Sequence, residues 1–352
     1  MNIYDLLAQL VELDGSDLHL IVGSQPYFRI DGELVPVEGS PILDPQSIRV
    51  LIEPLLSEEQ KEMVAVDKEL DLGYQFQEKA RFRINVYFSQ GSWAAALRLI
   101  PQRIRTIEEL SLPPDLNKLS QYKQGFVLVT GPTGEGKSST LAAVIDQINH
   151  SRAEHILTIE DPIEYVYQPQ KSIISQREMH HDTQDWSMAL RAALREDPDV
   201  VLVGEMRDHE TIASAITVAE TGHLVFATLH TGTAAQTMDR IIDVFPAEQQ
   251  GQVRQQLANT IVAVVSQRLV PRQGGGRIPA IELMFANDAI RNLIREGKTF
   301  QIDNVLQTSG QQGMMLIENH FIHLIQQGLV SRETAIKHAF RPNEMMRLLG
   351  EG

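Results

Sequence analysis

Gly131-Pro132-Thr133-Gly134-Glu135-Gly136-Lys137-Ser138 is the stretch on which the reading of this chain turns. It has the form of a phosphate-binding loop: a glycine, four residues, a second glycine, then lysine and a hydroxyl side chain. The flanks fit that form, because the apolar run Phe126 to Thr130 precedes it and Ser138 to Ile148 reads as a helix after it. Glycines let successive backbone N–H groups turn inward on phosphate oxygens, and the following helix presents its positive end. Lys137 then stands where β- and γ-phosphate charge needs neutralising, and the Ser138 hydroxyl where magnesium needs a ligand. A glycine-rich turn without chemistry is the bland alternative, and the strand before and helix after weigh against it. Glu135 brings a carboxylate into a loop that must attract an anion, so its side chain is expected to point outward to solvent.

From Gly125 onward, short apolar strands alternate with amphipathic helices. Phe126 to Thr130, Ile156 to Ile159, Val200 to Val203 and Leu224 to Thr228 are rich in β-branched residues, as parallel strands covered on both faces should be. The pattern predicts an α/β nucleotide-binding core. Beyond it, Glu248 to Leu269, Asp288 to Glu296 and Met314 to Gln327 predict a mostly helical carboxy-terminal third, with Gly274 to Gly276 a flexible turn between helix and strand. Toward the amino terminus, Asn2 to Leu13 is apolar at helical spacing, with Ile3, Leu6, Leu7, Leu10 and Leu13 on one side and Asp14-Gly15 as its stop. Short β-like runs follow at 17–22 and 27–30, with Asp31-Gly32 as a hairpin signal before 34–37, and three more at 70–76, 80–88 and 93–100. The expected organisation is a small α+β unit over 1–100, a proline-bearing linker over 101–115 (Pro101, Pro113, Pro114), and the ATPase-type core with its helical end over 116–352.

Three further segments carry chemistry. Glu160, Asp161 and Glu164 follow the strand ending at Ile159, where a P-loop protein must hold metal and attacking water; a solvated acidic turn is the alternative. Asp199 to Glu205 is an apolar strand ending in Gly204-Glu205 rather than in the usual aspartate of a Walker B segment. His223 and His230 bracket the strand 224–229, and His230 stands at the end that approaches the nucleotide, where a histidine can sense a γ-phosphate. His209-Glu210 lacks the second histidine of a zinc protease motif, and His180-His181-Asp182 lacks further ligands.

Composition narrows the classes. At 352 residues two domains are the prior. Acidic residues outnumber basic ones by 46 to 31, a net charge of −15, which argues against nucleic acid as a partner. The absence of cysteine excludes disulfides and thiolate metal sites. The start of the chain lacks the features of a signal peptide and no stretch reads as a membrane span, so a cytoplasmic protein is expected.

Taken together, the Walker A loop Gly131 to Ser139, the acidic segment Thr158 to Glu164, the Walker B segment Asp197 to Asp208 and the histidine segment Thr221 to Thr231 resemble, in order and context, the secretion ATPase superfamily that drives type II secretion and type IV pili. Within that resemblance, Ala289-Ile290-Arg291-Asn292-Leu293-Ile294-Arg295-Glu296 is similar to the segment characteristic of the retraction ATPases of twitching motility. The lack of a four-cysteine zinc insert and of a long additional amino-terminal region favours retraction over extension. The resemblance implies a homohexameric ring of subunits with a PAS-like amino-terminal domain and a RecA-like carboxy-terminal domain. It implies ATP and Mg²⁺ as ligands, and action on the inner-membrane platform protein of the pilus from the cytoplasm, with the membrane met only peripherally at the pilus base. By position it makes Glu164 the glutamate that orients water and Glu205 the Walker B glutamate near magnesium, and it puts Arg81, Arg83 and Arg98 in the arginine-bearing strands from which one or more arginines reach a neighbour's nucleotide. Glu135 departs from the family's usual small residue, and Gly313 to Glu318 departs from its glycine-methionine-glutamine pattern. An accessory retraction paralogue and, from a different class, a nucleic-acid motor or a regulatory nucleotide-binding module are the alternatives.

Overall fold

Along Ala80–Ser89 the side chains alternate between two environments: Ala80, Phe82, Ile84 and Val86 are buried, while Arg81 and Arg83 fall on the other face. A two-residue period of this kind makes a strand with one wet face. In the computed structural model, which describes residues 2–13, 15–30, 32–77, 80–100 and 103–350, this strand belongs to a six-stranded antiparallel sheet. Its strands are β1 (Asp17–Leu20), β2 (Tyr27–Ile30), β3 (Glu33–Pro36), β4 (Glu69–Phe76), β5 (Ala80–Ser89) and β6 (Ser92–Ile100), in the order β3-β2-β1-β6-β5-β4. The helix Ile3–Glu12 starts at Asn2, whose side chain accepts from Asp5 N–H, and buries Ile3, Leu6, Leu7 and Leu10. Leu13, expected in that stripe, is half exposed just past the helix end. The helix Pro45–Ile52 is capped by Asp44, and Glu58–Asp67 opens with a capping box of Ser57 and Gln60. The expected turn residues Asp14 and Asp31 and the linker residue Pro101 lie outside the described residues.

The chain divides into two compact units, Met1–Arg103 with Pro162–Val166, and Ile104–Asp161 with Tyr167–Gly352. The second unit is built on a seven-stranded sheet of β7 (Gly125–Thr130), β8 (His155–Glu160), β9 (Ile173–Glu178), β10 (Val200–Val203), β11 (Leu224–Leu229), β12 (Ile261–Pro271) and β13 (Arg277–Phe285). The order is β13-β12-β7-β11-β10-β8-β9, parallel throughout except for β13, which runs antiparallel to β12. Every residue of β7, β10 and β11 is buried, as two-sided helical cover requires.

Two expectations for the carboxy-terminal third are corrected. The helix that starts at Ala247 ends at Thr260, and Ile261–Pro271 is a strand, not its continuation. The β-branched run Ile261-Val262-Ala263-Val264-Val265 prefers a pleated, buried surface to a helix, and pairing with β7 supplies one. Gly274 to Gly276, all at positive φ (89°, 107° and 74°), therefore join two strands in a hairpin rather than a helix to a strand.

Helices Asp288–Glu296, Ile302–Thr308, Ile317–Gln326, Arg332–His338 and Pro342–Leu349 complete this unit. Three of them, Ile302–Thr308, Ile317–Gln326 and Pro342–Leu349, meet β13 at a charge cluster. Arg341 donates to Glu282 at 2.9 Å, to Glu318 at 3.0 Å and to Asp303 at 2.8 Å, and both glutamates are fully buried. The other Glu282 oxygen accepts the backbone N–H of Ala234 at 2.9 Å. Burial pushes the Glu282 carboxyl up to about 7, against the pull of Arg341. Its folded-state value thus lies above its ordinary 4.5, so this group's stabilising contribution is fullest at low pH and declines as pH rises toward 7. Removing the arginine leaves two buried carboxylates without a counter-charge. Arg341→Ala should destabilise the chain by about 3 kcal/mol near neutral pH, the scale of a broken buried pair. The penalty should be larger at about pH 8 than at about pH 5.5, where the Glu282 carboxyl can take up a proton. Urea unfolding of both proteins at the two pH values checks this, and a pH-independent penalty would contradict it.

Candidate functional site

Strand β7 ends at Thr130, whose hydroxyl donates to Ser266 Oγ at 2.9 Å, and the chain turns at once into the phosphate loop. Gly131 takes φ 144°, and Gly134 and Gly136 both take φ 81°, values that side-chain-bearing residues avoid. Gly136 caps the helix Lys137–Ser151 with no side chain on its first turn, so the loop delivers a bare helix amino terminus, the arrangement that attracts anions. Lys137 is buried and its ammonium donates to the carbonyls of Gly131 at 2.7 Å and Pro132 at 3.1 Å, folding back over its own loop.

Glu135 does not point to solvent. Its carboxylate accepts the backbone N–H of Leu269 on β12, and its carbonyl accepts from Gln267 Nε2 at 2.6 Å. The cause lies in the sheet. Strand β7 stops at the level of Ser266, but β12 runs on to Pro271, so its backbone beyond that point has no strand beside it on the β7 side. Glu135 supplies the acceptor that a neighbouring strand would otherwise give.

The ends of β10, β11 and β8 lie along the same carboxyl edge as the loop, since all run parallel to β7. Glu205 follows β10 and His230 follows β11, and His230 Nε2 lies 2.8 Å from Glu205 Oε1. On its other oxygen Glu205 accepts from Arg207 at 2.9 Å. Partial burial works to raise the Glu205 carboxyl, but Arg207 and His230 outweigh it and hold the group below the usual range, hence ionised. Gly204 sits in tight packing: a Cβ would lie 3.2 Å from Glu160 Cα and 3.3 Å from Ile159 O on β8, so a side chain here would press on that strand. A glycine in place of the commoner Walker B residue suits this close approach of β10 to β8. Glu160 is buried at the end of β8, and Gln176 Nε2 lies 3.4 Å from its carboxylate.

Among the described residues there is no group of three or more His, Asp or Glu that could cage a metal ion by itself. A hydroxyl at Ser138 and an ionised carboxylate at Glu205 are hard oxygen donors, and they fit Mg²⁺, which is commonly bound by one or two protein oxygens together with phosphates.

The other expected site residues lie in the first unit. Segment Pro162–Val166 packs there, and Glu164 Oε1 lies 3.9 Å from Arg83 Nη1. Arg83 also donates through Nε to Asp71 at 3.0 Å. One register row across the sheet reads Gly73, Arg83, Arg98, Asp17, Arg29. Arg83 and Arg98 are directly opposite each other, and Arg81 is two residues along on the same face. Asp17, buried between Arg98 (2.8 Å) and Arg29 (3.8 Å), is kept below the usual carboxylate range, because Arg98 and Ser16 outweigh its burial.

His223, the other bracketing histidine, lies at the opposite edge, its Nδ1 3.0 Å from Val218 O at the end of the helix His209–Glu220. That opposite edge also holds a cavity of about 460 Å³ lined by Tyr122, Gly125, Glu220, Asn259 and Arg291. Arg291, from the segment 289–296, closes the end of the helix Ala247–Thr260 by donating to Ala258 O at 2.6 Å and Asn259 O at 3.1 Å. Three residues that shape the site escaped the sequence reading: Arg207, Asp71 and Gln267. Arg207 stands two residues from Glu205 in the motif itself and could have been found there; Asp71 and Gln267 act across strand pairings that no local pattern reveals.

Over residues 2–275 the chain matches the family of type II/IV secretion system proteins. The type IV pilus retraction ATPase PilT of Pseudomonas aeruginosa is 46% identical over 342 residues, which is 97% of this chain and 99% of that protein. The twitching motility protein of Neisseria gonorrhoeae is 45% identical over 321 residues, 91% of this chain and 86% of that one. The crystal structure of the pilus retraction motor PilT with bound ADP shares 44% identity and a TM-score of 0.92, covering 99% of each chain. With a phosphate loop on a parallel sheet, a family match over most of its length and relatives of this similarity from end to end, the chain belongs to the type II/IV secretion system protein family, in the branch of its pilus retraction ATPases.

Proposed function

We propose that this chain is an ATP-hydrolysing motor that powers retraction of type IV pili. The observation that carries the reading is the phosphate loop with its uncapped helix start, set beside an ionised Glu205 at the carboxyl edge of a buried parallel sheet. The end-to-end likeness to retraction ATPases gives the work its direction. In this mechanism the N–H groups of Gly131 to Ser139 take the phosphate oxygens of ATP, and Lys137 exchanges the Gly131 and Pro132 carbonyls for β- and γ-phosphate oxygens. Ser138 and Glu205 would hold Mg²⁺, which would supply positive charge to offset that of the phosphate oxygens. Glu164 accepts a proton of the attacking water and orients it, and His230, through its contact with Glu205, senses the γ-phosphate. Arg81, Arg83 and Arg98 supply positive charge to the phosphates of a neighbouring subunit in a homohexamer, with Asp71 and Asp17 aiming Arg83 and Arg98. A PAS-like part over 1–100 and a RecA-like part over 116–352, joined by 101–115, are the moving pieces.

The ring works at the pilus base on the cytoplasmic side of the inner membrane and pulls on the platform protein. Among the described residues no helix is long and apolar enough to cross a membrane. The segment 289–296 is our candidate for coupling hydrolysis to movement. Its helix buries only Ile290 and Ile294, and leaves Asn292 exposed.

Lys137→Ala should abolish nucleotide binding and turnover, because the loop backbone alone cannot neutralise the terminal phosphates. Undiminished ATPase activity in this variant would remove the P-loop assignment. Glu164→Gln and Glu205→Gln separate two carboxylates that a motif reading treats alike. Glu164→Gln should still bind ATP with Mg²⁺ while hydrolysis falls by roughly a hundredfold or more, the scale of a lost water-activating group. Glu205→Gln should give a defect that shifts with magnesium concentration. ATP affinity and turnover across a magnesium titration decide it, and the opposite pattern reverses the two roles. In the double variant Asn292→Ala, Leu293→Ala, ATPase activity should survive while twitching motility fails; normal twitching takes this segment out of the mechanism.

A further inference from the structure

Gln267 is a buried amide on β12 with both ends engaged. Its Nε2 donates to Glu135 O at 2.6 Å, and its Oε1 accepts from Thr140 Oγ1 at 2.7 Å. One side chain therefore grips the phosphate loop just before Gly136 and the first turn of the helix just after Lys137. The same residue sets two of the loop's glycines. A Cβ on Gly131 would meet Gln267 O at 2.4 Å, and a Cβ on Gly136 would meet its Nε2 at 2.9 Å. Two residues further along β12, the Leu269 N–H takes the Glu135 carboxylate.

The consequence for the loop is directional. In a trans peptide the C=O of one residue and the N–H of the next point opposite ways. Pinning the Glu135 carbonyl on Gln267 thus aims the Gly136 N–H away from β12. An anion cradle made of N–H groups works best when their directions are fixed before the anion arrives. A side chain needed only to fill space at this position would not have to be an amide, and a buried amide with an unmet end is costly.

We propose that Gln267 is a positioning residue for nucleotide binding: by holding the Glu135 carbonyl and the Thr140 hydroxyl it presets the direction of the loop N–H groups, with the Glu135 carboxylate on Leu269 as a second tie. It acts through the loop and touches no phosphate. The inference rests on the reading of the loop as a cradle for ATP.

Gln267→Met keeps the length and flexibility of the side chain and removes both bonds, whereas Thr140→Val removes only one. Val264→Ala, a core change on the same strand, serves as the control for simple destabilisation. Gln267→Met should raise both the KM for ATP and the Kd of a fluorescent ADP analogue about tenfold, the scale of one or two lost hydrogen bonds. Its kcat at saturation should stay within about threefold, since preset N–H groups serve the bound substrate and the transition state alike. Thr140→Val should shift KM and Kd the same way by less, and Val264→Ala should lower the melting temperature without moving either constant. Unchanged KM and Kd in Gln267→Met, alongside lost binding in Lys137→Ala, overturn the positioning role while the ATP reading stands. An equal shift in Val264→Ala at an equal loss of melting temperature also overturns it. Failure of the unaltered protein to bind the ADP analogue overturns the ATP reading, and this proposal with it.

Discussion

Because every residue of β7, β10 and β11 is buried, these three strands offer no face on which an unpaired charged group can sit. Polar chemistry is driven to the strand ends, where the chain leaves the sheet and backbone groups need new partners. Parallel pairing then puts those ends in one line. The phosphate loop after β7, His230 after β11, Glu205 after β10 and Glu160 at the end of β8 share an edge for that reason, although long stretches of sequence separate them. The same closeness favours the glycine before Glu205, where a Cβ would press on β8.

The amino-terminal sheet follows the other rule. Its strands are antiparallel and bury one face, so the opposite face is free to carry charge, and it carries arginine. Directly opposed like charges are unfavourable. Arg83 and Arg98 tolerate their register because each has its own carboxylate, Asp71 and Asp17, drawing it aside. Fixing two guanidinium groups in this way spends some of their charge on internal partners and gains a defined direction for the rest.

Much of this was legible in the sequence, and the failures have causes. The period-two alternation of β5 and the apolar runs of β7, β10 and β11 are local signals that survive into the structure, and so is the Walker A pattern. Strand β12 was misread as helix because a continuous apolar run follows a genuine helix without a break, and only its pairing with β7 on one side and β13 on the other tells the two states apart. That an anion site repels carboxylates argues for Glu135 in solvent. That argument omits the overhang of β12, a tertiary feature that offers the carboxylate an N–H on the far side of the loop. Buried charges such as Glu282 and Glu318 were invisible for a similar reason, since their partner Arg341 is distant along the chain.

The two carbonyl bonds of Lys137 bear on what the loop can discriminate. An ammonium already solvated by its own backbone is not stripped of water when a nucleotide enters; it trades one set of oxygen acceptors for another. The exchange is closer to balanced than the capture of a phosphate by a bare cation, and the freed carbonyls of Gly131 and Pro132 must then find other donors. Preference for a triphosphate over a diphosphate therefore depends on the lysine's charge together with how many oxygens the ligand offers to the loop's N–H groups. For an ATPase that must let its product go after every turnover, a lysine that returns to internal partners gives the spent nucleotide a competitor built into the chain.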